Sequence, residues 1–370
     1  MKILQLALSL GAGGAERIAV SLCNRFSANA DNEVILVSIL DDSVPRNIHY
    51  LKDLSPDVRF VNLHCKTGLQ IKAIWRVFKT IKKEKPDVVH NHFSPLPLLF
   101  PVLRLSGISF LHTIHSLPER IWEKNGLIKR MVTSYLYKTQ KIQPITIAPI
   151  CQQSYRRLYK MANDICIING SEPLKTTEKA EAVNTEIKKI KPSADTLVFI
   201  HVARHAVPKN HTRLFDAFRH LEKDGHNFVL LVVGDKYDSF AGAYKDNKHI
   251  FLLGRKENVG DYMAQADFFV LSSDYEGLPM TMLEAMSMGV VPISTPAGGV
   301  VDVIEDGKNG YIAADFDDES FYLKIKQAIN EKGRISSETI KDDYERRFSM
   351  KSCAEAYFKA YQKTQLINKH

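Results

Sequence analysis

The stretch Asp267–Gly299 reads DFFVLSSDYEGLPMTMLEAMSMGVVPISTPAGG. It opens on a short apolar run of strand length, DFFVLSS, and closes on another, VVPIST from Val290, with a glycine-containing loop and a helix start at Pro279 between them. Strand, loop, helix and strand in succession form the repeating unit of a parallel α/β sheet. The same alternation continues outward through LVFIHVA from Leu197, FVLLVVGD from Phe228 and HIFLLG from His249, each followed by a polar turn or helix-like stretch. These runs predict a doubly wound unit over residues 190–350, a fold that does not by itself state a function.

Further out, Glu172 to Asp195 turns polar and charged, which marks the approach to a domain boundary. Before it the alternation appears a first time, in KILQLAL from Lys2, EVILVSI from Glu33, DVVH from Asp87 and ITIAP from Ile145, with helical periodicity over Ala15 to Phe26 and Ile71 to Lys83. Residues 1–185 therefore read as a second doubly wound domain, and the terminal segment at about 351–370 reads as an amphipathic helix packing back on it. The 370-residue length fits two domains, since a domain averages roughly 150 residues. With 45% apolar and 25% charged residues the chain falls outside disordered, collagen-like and coiled-coil classes.

A formal net charge of +8 favours an anionic partner without choosing among phosphate, nucleic acid and membrane. The five cysteines, Cys23, Cys65, Cys151, Cys166 and Cys353, are scattered and form no C-x-x-C pair, which points to buried thiols in a reducing, cytoplasmic compartment. Lys2 followed by Ile3 to Leu10 and Gly11 to Ala15 has the outline of a short signal peptide. It lacks a clear basic n-region and passes at once into Glu16 and Arg17, so it reads as strand, glycine turn and helix start. The most apolar segment, Phe93 to Leu111, is broken by Pro95, Pro97, Pro101 and Arg104 and is not a membrane span.

The chemistry concentrates in the opening stretch. Glu276 lies on the loop after a strand, Gly277 lets the chain approach a ligand closely, and Pro279 suits the first position of a helix, where its missing amide proton costs nothing. The amides from Gly277 through Leu278 to Thr281 then offer a phosphate the positive end of a helix dipole, about half an elementary charge. Glu284, slightly more than one turn on, is placed to accept hydrogen bonds from a pair of ribose hydroxyls. At the end of LVFIHVA, Arg204 and Lys209 add a planar fork and a mobile point charge, suited to two phosphates. The first glycine cluster, GAGGAER at 11–17, opens a helix and makes Gly13 and Gly14 candidate anion binders. Glu16 stands where a dinucleotide fingerprint needs glycine, which argues against a nicotinamide cofactor.

Taken in order, the GGAER loop, PDVVHNHF from Pro86, HTIHS from His112, ING from Ile168, VARHAVPKN from Val202, Glu276-x7-Glu284 and GGVVDVIEDGKNG from Gly298 resemble glycosyltransferase family 4. The resemblance implies a retaining enzyme of GT-B fold, two Rossmann-like doubly wound domains facing across a cleft. It implies that Arg204 and Lys209 bind the diphosphate and stabilise its charge as the sugar leaves, that Glu284 binds ribose, and that Gly277 and Leu278 offer amides to phosphate. Glu276 would lie near the sugar and order Lys209, and His115 would face the donor sugar. His112, its close rival, falls on the other strand face by alternation, while His90 and His92 stand as candidate lining residues. Pro149, where the family often has serine, departs from the pattern on the acceptor side.

No cofactor and no metal are expected, because Arg204, Lys209 and a helix start supply the positive charge and no acidic Asp-x-Asp cluster suggests a metal site. A UDP-sugar is the favoured donor, and a saccharide or lipid-linked saccharide the expected acceptor. Glu119 to Lys141 interleaves Arg120, Lys124, Lys129, Arg130, Lys138 and Lys141 with Ile121, Trp122, Leu127, Ile128, Met131, Tyr135 and Tyr137, a composition suited to peripheral contact with an anionic membrane. A nucleotide-sugar epimerase and a catalytically silent saccharide-binding subunit are the rival readings. A nucleic-acid partner has no stacking platform or recognition motif to support it.

Overall fold

The computed structural model describes residues 1–66, 71–93, 99–105, 107–119, 122, 126–237, 242 and 247–368. Its strands divide between two parallel sheets, in two compact units comprising Met1–Gly170 with Met350–His370, and Ser171–Ser349.

In the first unit the strands are β1 (Lys2–Ala7), β2 (Glu33–Leu40), β3 (Arg59–Cys65), β4 (Val88–Asn91), β5 (Ser109–Ile114), β6 (Gln143–Thr146) and β7 (Ile165–Cys166). Their order is β3-β2-β1-β4-β5-β6-β7, every neighbouring pair parallel. Helices α1 (Gly14–Ser27), α2 (Ile71–Glu84), α3 (Leu127–Lys138) and α4 (Pro149–Tyr159) make crossovers. The second unit contains β8 (Leu197–Val202), β9 (Phe228–Val233), β10 (Ile250–Gly254), β11 (Phe268–Leu271), β12 (Val291–Ser294) and β13 (Tyr311–Ile312), in the order β10-β9-β8-β11-β12-β13. Around that sheet lie α5 (Ala180–Ile190), α6 (His211–Lys223), α7 (Val259–Met263), α8 (Met280–Ser287), α9 (Val300–Val303), α10 (Asp318–Asn330) and α11 (Ser337–Arg347); α12 (Met350–Asn368) then returns to the first unit.

Period-two alternation divides the first unit into two apolar layers. Leu4, Leu6, Ile35, Val37 and Ile39 face Ala73, Val77 and Ile81 of α2 and Leu136 of α3. Ile3, Ala7, Val34 and Leu36 face Ile18, Leu22 and Phe26 of α1 and Tyr357 and Tyr361 of α12. Both sheet faces are covered, so the strands carry nearly continuous apolar runs. In the second unit the rings of Phe199, Phe218, Phe228 and Phe268 pack on one another across the sheet.

The division between units falls at Gly170 and Ser171, ahead of the expected boundary near 185–190. The polar stretch belongs to the second unit because it is bonded there. The amide and hydroxyl of Thr177 both donate to Asp261 at 2.6 Å. Val183 and Ile187 of α5 are buried, an apolar stripe that the many charges around it conceal. The thiols are free, with Cys23, Cys65, Cys151 and Cys353 buried. Burial pushes the Cys353 thiol up to about 12. Among the described residues no helix is long and apolar enough to cross a membrane.

Five imidazoles, those of His90, His92, His112, His201 and His211, are buried in these cores. Burial holds all of them below the ordinary histidine value: His112 and His211 at about 3, His201 at about 4, and His90 and His92 well down. They are neutral in the folded chain at neutral pH, whereas the unfolded chain takes up their protons below about pH 6.5. The stability they permit is therefore full above that pH and is lost as pH falls toward the folded values, by up to ~1.4 kcal/mol per pH unit for each imidazole. Urea unfolding should show a falling midpoint between about pH 6.5 and about pH 5, a window above carboxylate titration. Replacing His201 by glutamine should reduce that slope.

Candidate active site

Ligands of open α/β sheets bind outside the carboxyl ends of the strands where strand order reverses. In the second unit that point lies between β8 and β11, which are parallel neighbours. Arg204 and Lys209 lie on the loop after β8, and Glu276, Gly277, Leu278 and Pro279 on the loop after β11.

These two loops are tied together. Lys209 closes a 3-10 turn over Val207–Lys209, and its ammonium donates to Glu276 Oε1 at 2.6 Å. The Ser273 hydroxyl donates to the same oxygen at 2.6 Å, while Ser272 Oγ donates to the carbonyls of Lys209 and Asn210 at 2.9 and 3.0 Å. Asn210, in the left-handed region at φ 42°, caps α6 by accepting from the Arg213 amide and donates its own amide to Asp274. The buried Arg213 guanidinium donates to Asp274, to the Ser272 carbonyl, to Asp318 and to the Phe316 carbonyl. Sequence reasoning missed this support; an arginine in the first turn of a helix reads as a solvated charge. Arg204 is exposed.

The late glycine pair holds the same loop from the other side. Gly299 donates its amide to the Gly277 carbonyl at 2.8 Å. A Cβ on Gly298, at φ +54°, would lie 1.9 Å from the Glu276 carbonyl oxygen, and one on Gly299 would lie 2.0 Å from that of Gly277. Only residues without a side chain permit this approach.

Pro279 is the cap of α8 rather than its first helical residue, at φ −75° and ψ 96°, and the helix begins at Met280. The sequence expectation is thus displaced by one position. The Pro279 carbonyl accepts from the amides of Met282 and Leu283, while the earlier amides precede any intrahelical acceptor and mark the positive end of the helix. Glu284, in the middle of α8, is buried at 8% exposure.

In the first unit the strand order reverses at β1 and β4. Gly13, extended, caps α1 and Gly14 begins it; burial pushes up the carboxyl of Glu16, in the same first turn. His115 follows the end of β5, and its Nε2 lies 3.0 Å from Nδ1 of His92. Burial holds its imidazole down at about 4, hence neutral at physiological pH. His112 sits on the opposite face and bonds the Tyr137 hydroxyl at 2.7 Å. His90 bonds Tyr361 and Thr113. The structure thus brings Lys209 and Glu276 together on the second unit beside Gly277 to Pro279, and gathers His90, His92 and His115 on the first. Pro149 is the first residue of α4. Arg120, Ile121, Glu123 and Lys124 of the basic segment lie outside the described residues.

Comparison with known proteins follows this division. Residues 12–169 match the model of Glycosyltransferase Family 4, and residues 183–346 that of Glycosyl transferases group 1. The chain is similar to the Escherichia coli UDP-Gal:alpha-D-GlcNAc-diphosphoundecaprenol alpha-1,3-galactosyltransferase, 26% identical over 80% of this chain and 78% of that protein. It is 30% identical to an uncharacterised glycosyltransferase of Methanocaldococcus jannaschii, over 76% of this chain and 77% of the other. Among solved structures it resembles Anabaena Alr3699/HepE in complex with UDP, at TM-score 0.77, 16% identity and coverage of 98% of this chain and 100% of that one.

Alanine at Gly298 should force the 276–277 loop away, destabilising the second unit by ~1–3 kcal/mol. Alanine at Gly277, where a Cβ meets nothing within 4 Å, should change stability by less than ~0.5 kcal/mol. Urea unfolding of the two variants makes the comparison.

Proposed function

The chain belongs to glycosyltransferase family 4 and has the GT-B fold, and from that premise we propose that it moves a sugar, with retention of configuration, from a UDP-sugar to a saccharide or lipid-linked saccharide in cell-surface polysaccharide or glycolipid synthesis. The observation that carries the reading is the Lys209–Glu276 pair at a sheet switch point beside the start of α8. The UDP of the Anabaena complex and the lipid-linked acceptor in the name of the E. coli relative support the donor and acceptor classes.

In this reading the diphosphate takes hydrogen bonds from the amides at Gly277 and Leu278 and charge from Arg204 and Lys209, with the Gly13–Gly14 turn as a second anion contact. The bond from the anomeric carbon to the diphosphate oxygen breaks with its electron pair going to the leaving phosphate. The lysine, the guanidinium and the helix end stabilise the charge that develops there. Glu276 orders Lys209, from whose ammonium it accepts a hydrogen bond. Glu284 accepts from the ribose hydroxyls, and neutral His115 meets the sugar. The acceptor attacks the face the diphosphate leaves, and its proton passes to the departing diphosphate. We assign no metal ion or other cofactor to this charge balance.

Glu284→Ala should weaken UDP binding about 10–100-fold, the loss of one or two hydrogen bonds to a charged group. Lys209→Ala should lower kcat by about 10²–10³. Isothermal titration with UDP, GDP and ADP and donor-turnover assays with and without EDTA check both, and turnover should survive the chelator. A wild-type protein that binds none of the nucleotides would overturn the reading.

The reading includes peripheral contact with an anionic membrane. On α3 the exposed residues Leu127, Ile128, Met131 and Tyr135 follow helical spacing, while Leu136 and Tyr137 are buried in the core. A helix apolar on its outer face and flanked by Lys129, Arg130, Lys138 and Lys141 suits a lipid surface. Flotation with vesicles containing phosphatidylglycerol should carry the protein, and Ile128→Asp with Met131→Asp should abolish it. Equal binding to neutral vesicles would remove the electrostatic part.

A further inference from the structure

Gln5 is buried at the switch point of the first sheet, with its carboxamide between His92 and Tyr361. A carboxamide is directional: its oxygen only accepts and its nitrogen only donates, whereas neutral imidazole and hydroxyl groups take either part. Oε1 of Gln5 lies 2.6 Å from His92 Nε2, so that nitrogen must carry a proton. Burial keeps His92 neutral, so its Nδ1 has none and must accept from His115 Nε2 at 3.0 Å. His115, also neutral at physiological pH, therefore holds its proton on Nε2 and keeps Nδ1 as a lone pair.

The other arm runs the same way. Gln5 Nε2 donates to the Tyr361 hydroxyl at 2.9 Å, which leaves the Tyr361 proton for His90 Nδ1 at 2.6 Å. His90 Nε2 then donates to Thr113 Oγ1 at 2.7 Å, and the Thr113 hydroxyl lies 3.0 Å from that of Tyr357. From His115 to Thr113 each hydrogen bond has one donor and one acceptor, all oriented by the amide of Gln5. Rotating that amide by half a turn would reverse each bond and move the His115 proton to Nδ1.

We propose that Gln5, acting through His92, is a positioning residue that fixes His115 as the Nε2–H tautomer, so that its Nδ1 accepts a hydrogen bond from a hydroxyl of the sugar. Tyr361, reaching the first sheet from α12, accepts from the amide nitrogen and passes the same sense on to His90. The tautomer follows from the first unit alone; its effect on turnover rests on the proposed glycosyl transfer.

Two-bond ¹H–¹⁵N correlation spectra of the full-length protein, labelled with ¹⁵N-histidine and kept near neutral pH, read the tautomer directly, with the His115 signals assigned by their loss in His115→Gln. Wild type should show protonated Nε2 and unprotonated Nδ1 at both His115 and His92. Gln5→Met, which keeps the volume without a polar end, and Tyr361→Phe, which releases the amide, should each give His115 mixed tautomer signals. In donor turnover both variants should lower kcat about 10–100-fold, as removal of an orienting partner does, with KM moving by less than about threefold. Gln5→Glu, which retains an oxygen facing His92, should keep the Nε2–H form. An Nδ1–H form in wild type overturns the proposal whether or not any variant folds, and so does an unchanged tautomer in Gln5→Met. A changed tautomer with unchanged kcat would uphold the relay and overturn the placement of His115 at the sugar.

Discussion

The second unit depends on two loops from different strands being held at one place, and the Lys209–Glu276 contact is where they meet. An exposed lysine–carboxylate pair contributes little, because solvent screens it and two long side chains must be ordered. This one is partly buried, with the carboxylate side chain 10% exposed and Ser273 donating to the same oxygen as the lysine. Its energetic weight comes less from Coulomb attraction than from its surroundings. Ser272 bonds the backbone of one loop while continuing the strand of the other, Arg213 collects Asp274 and two carbonyls, and Gly298 and Gly299 press on the carbonyls of Glu276 and Gly277. The lysine is held on the nearest acid in one defined geometry. That is the preorganisation required of a group that must meet charge as it develops.

The first unit solves a different problem. Several imidazoles lie close together, and charging them would cost desolvation and mutual repulsion at once. The fold keeps them neutral by burial and satisfies them with hydroxyls and one carboxamide. In a buried chain of groups that can donate or accept, a single directional member sets the sense of the rest. Gln5 is that member, and α12 supplies its counterpart. The return of the terminal helix therefore does more than cover apolar surface, because its Tyr361 hydroxyl accepts from an amide in the opening strand.

Much of the fold was legible because its signals are local. Apolar runs bounded by turns give the strands, and their alternation with helices gives parallel sheets. The order of the second sheet then follows from two half-units wound about β8 and β11. The places of Arg204, Lys209 and Glu276 after β8 and β11 were legible for the same reason, since strand ends can be read without knowing what lies beside them. The boundary near 185–190 was misplaced because Val183 and Ile187 are few among charges, and because the bond from Thr177 to Asp261 joins residues that no local pattern relates. Pro279 was displaced by one position because a proline fits both the first helical position and the cap. Gln5 could not be found at all. Its partners lie 87 and 356 positions away, and within a strand an isolated glutamine among apolar residues shows no periodic signature.

The two switch points divide the chemistry according to charge. The second unit presents lysine, arginine and a helix start, a combination suited to an anion and wasted on a neutral hydroxyl. The first presents imidazoles that burial has stripped of charge, which suit hydroxyl groups because each nitrogen is unambiguously donor or acceptor. A nucleotide sugar has this same division, an anionic diphosphate joined to a neutral ring rich in hydroxyls. Had the imidazoles been protonated, the first unit too would offer positive side chains to an anion. Keeping them neutral leaves the side-chain charge at the switch points on Arg204 and Lys209 of the second unit.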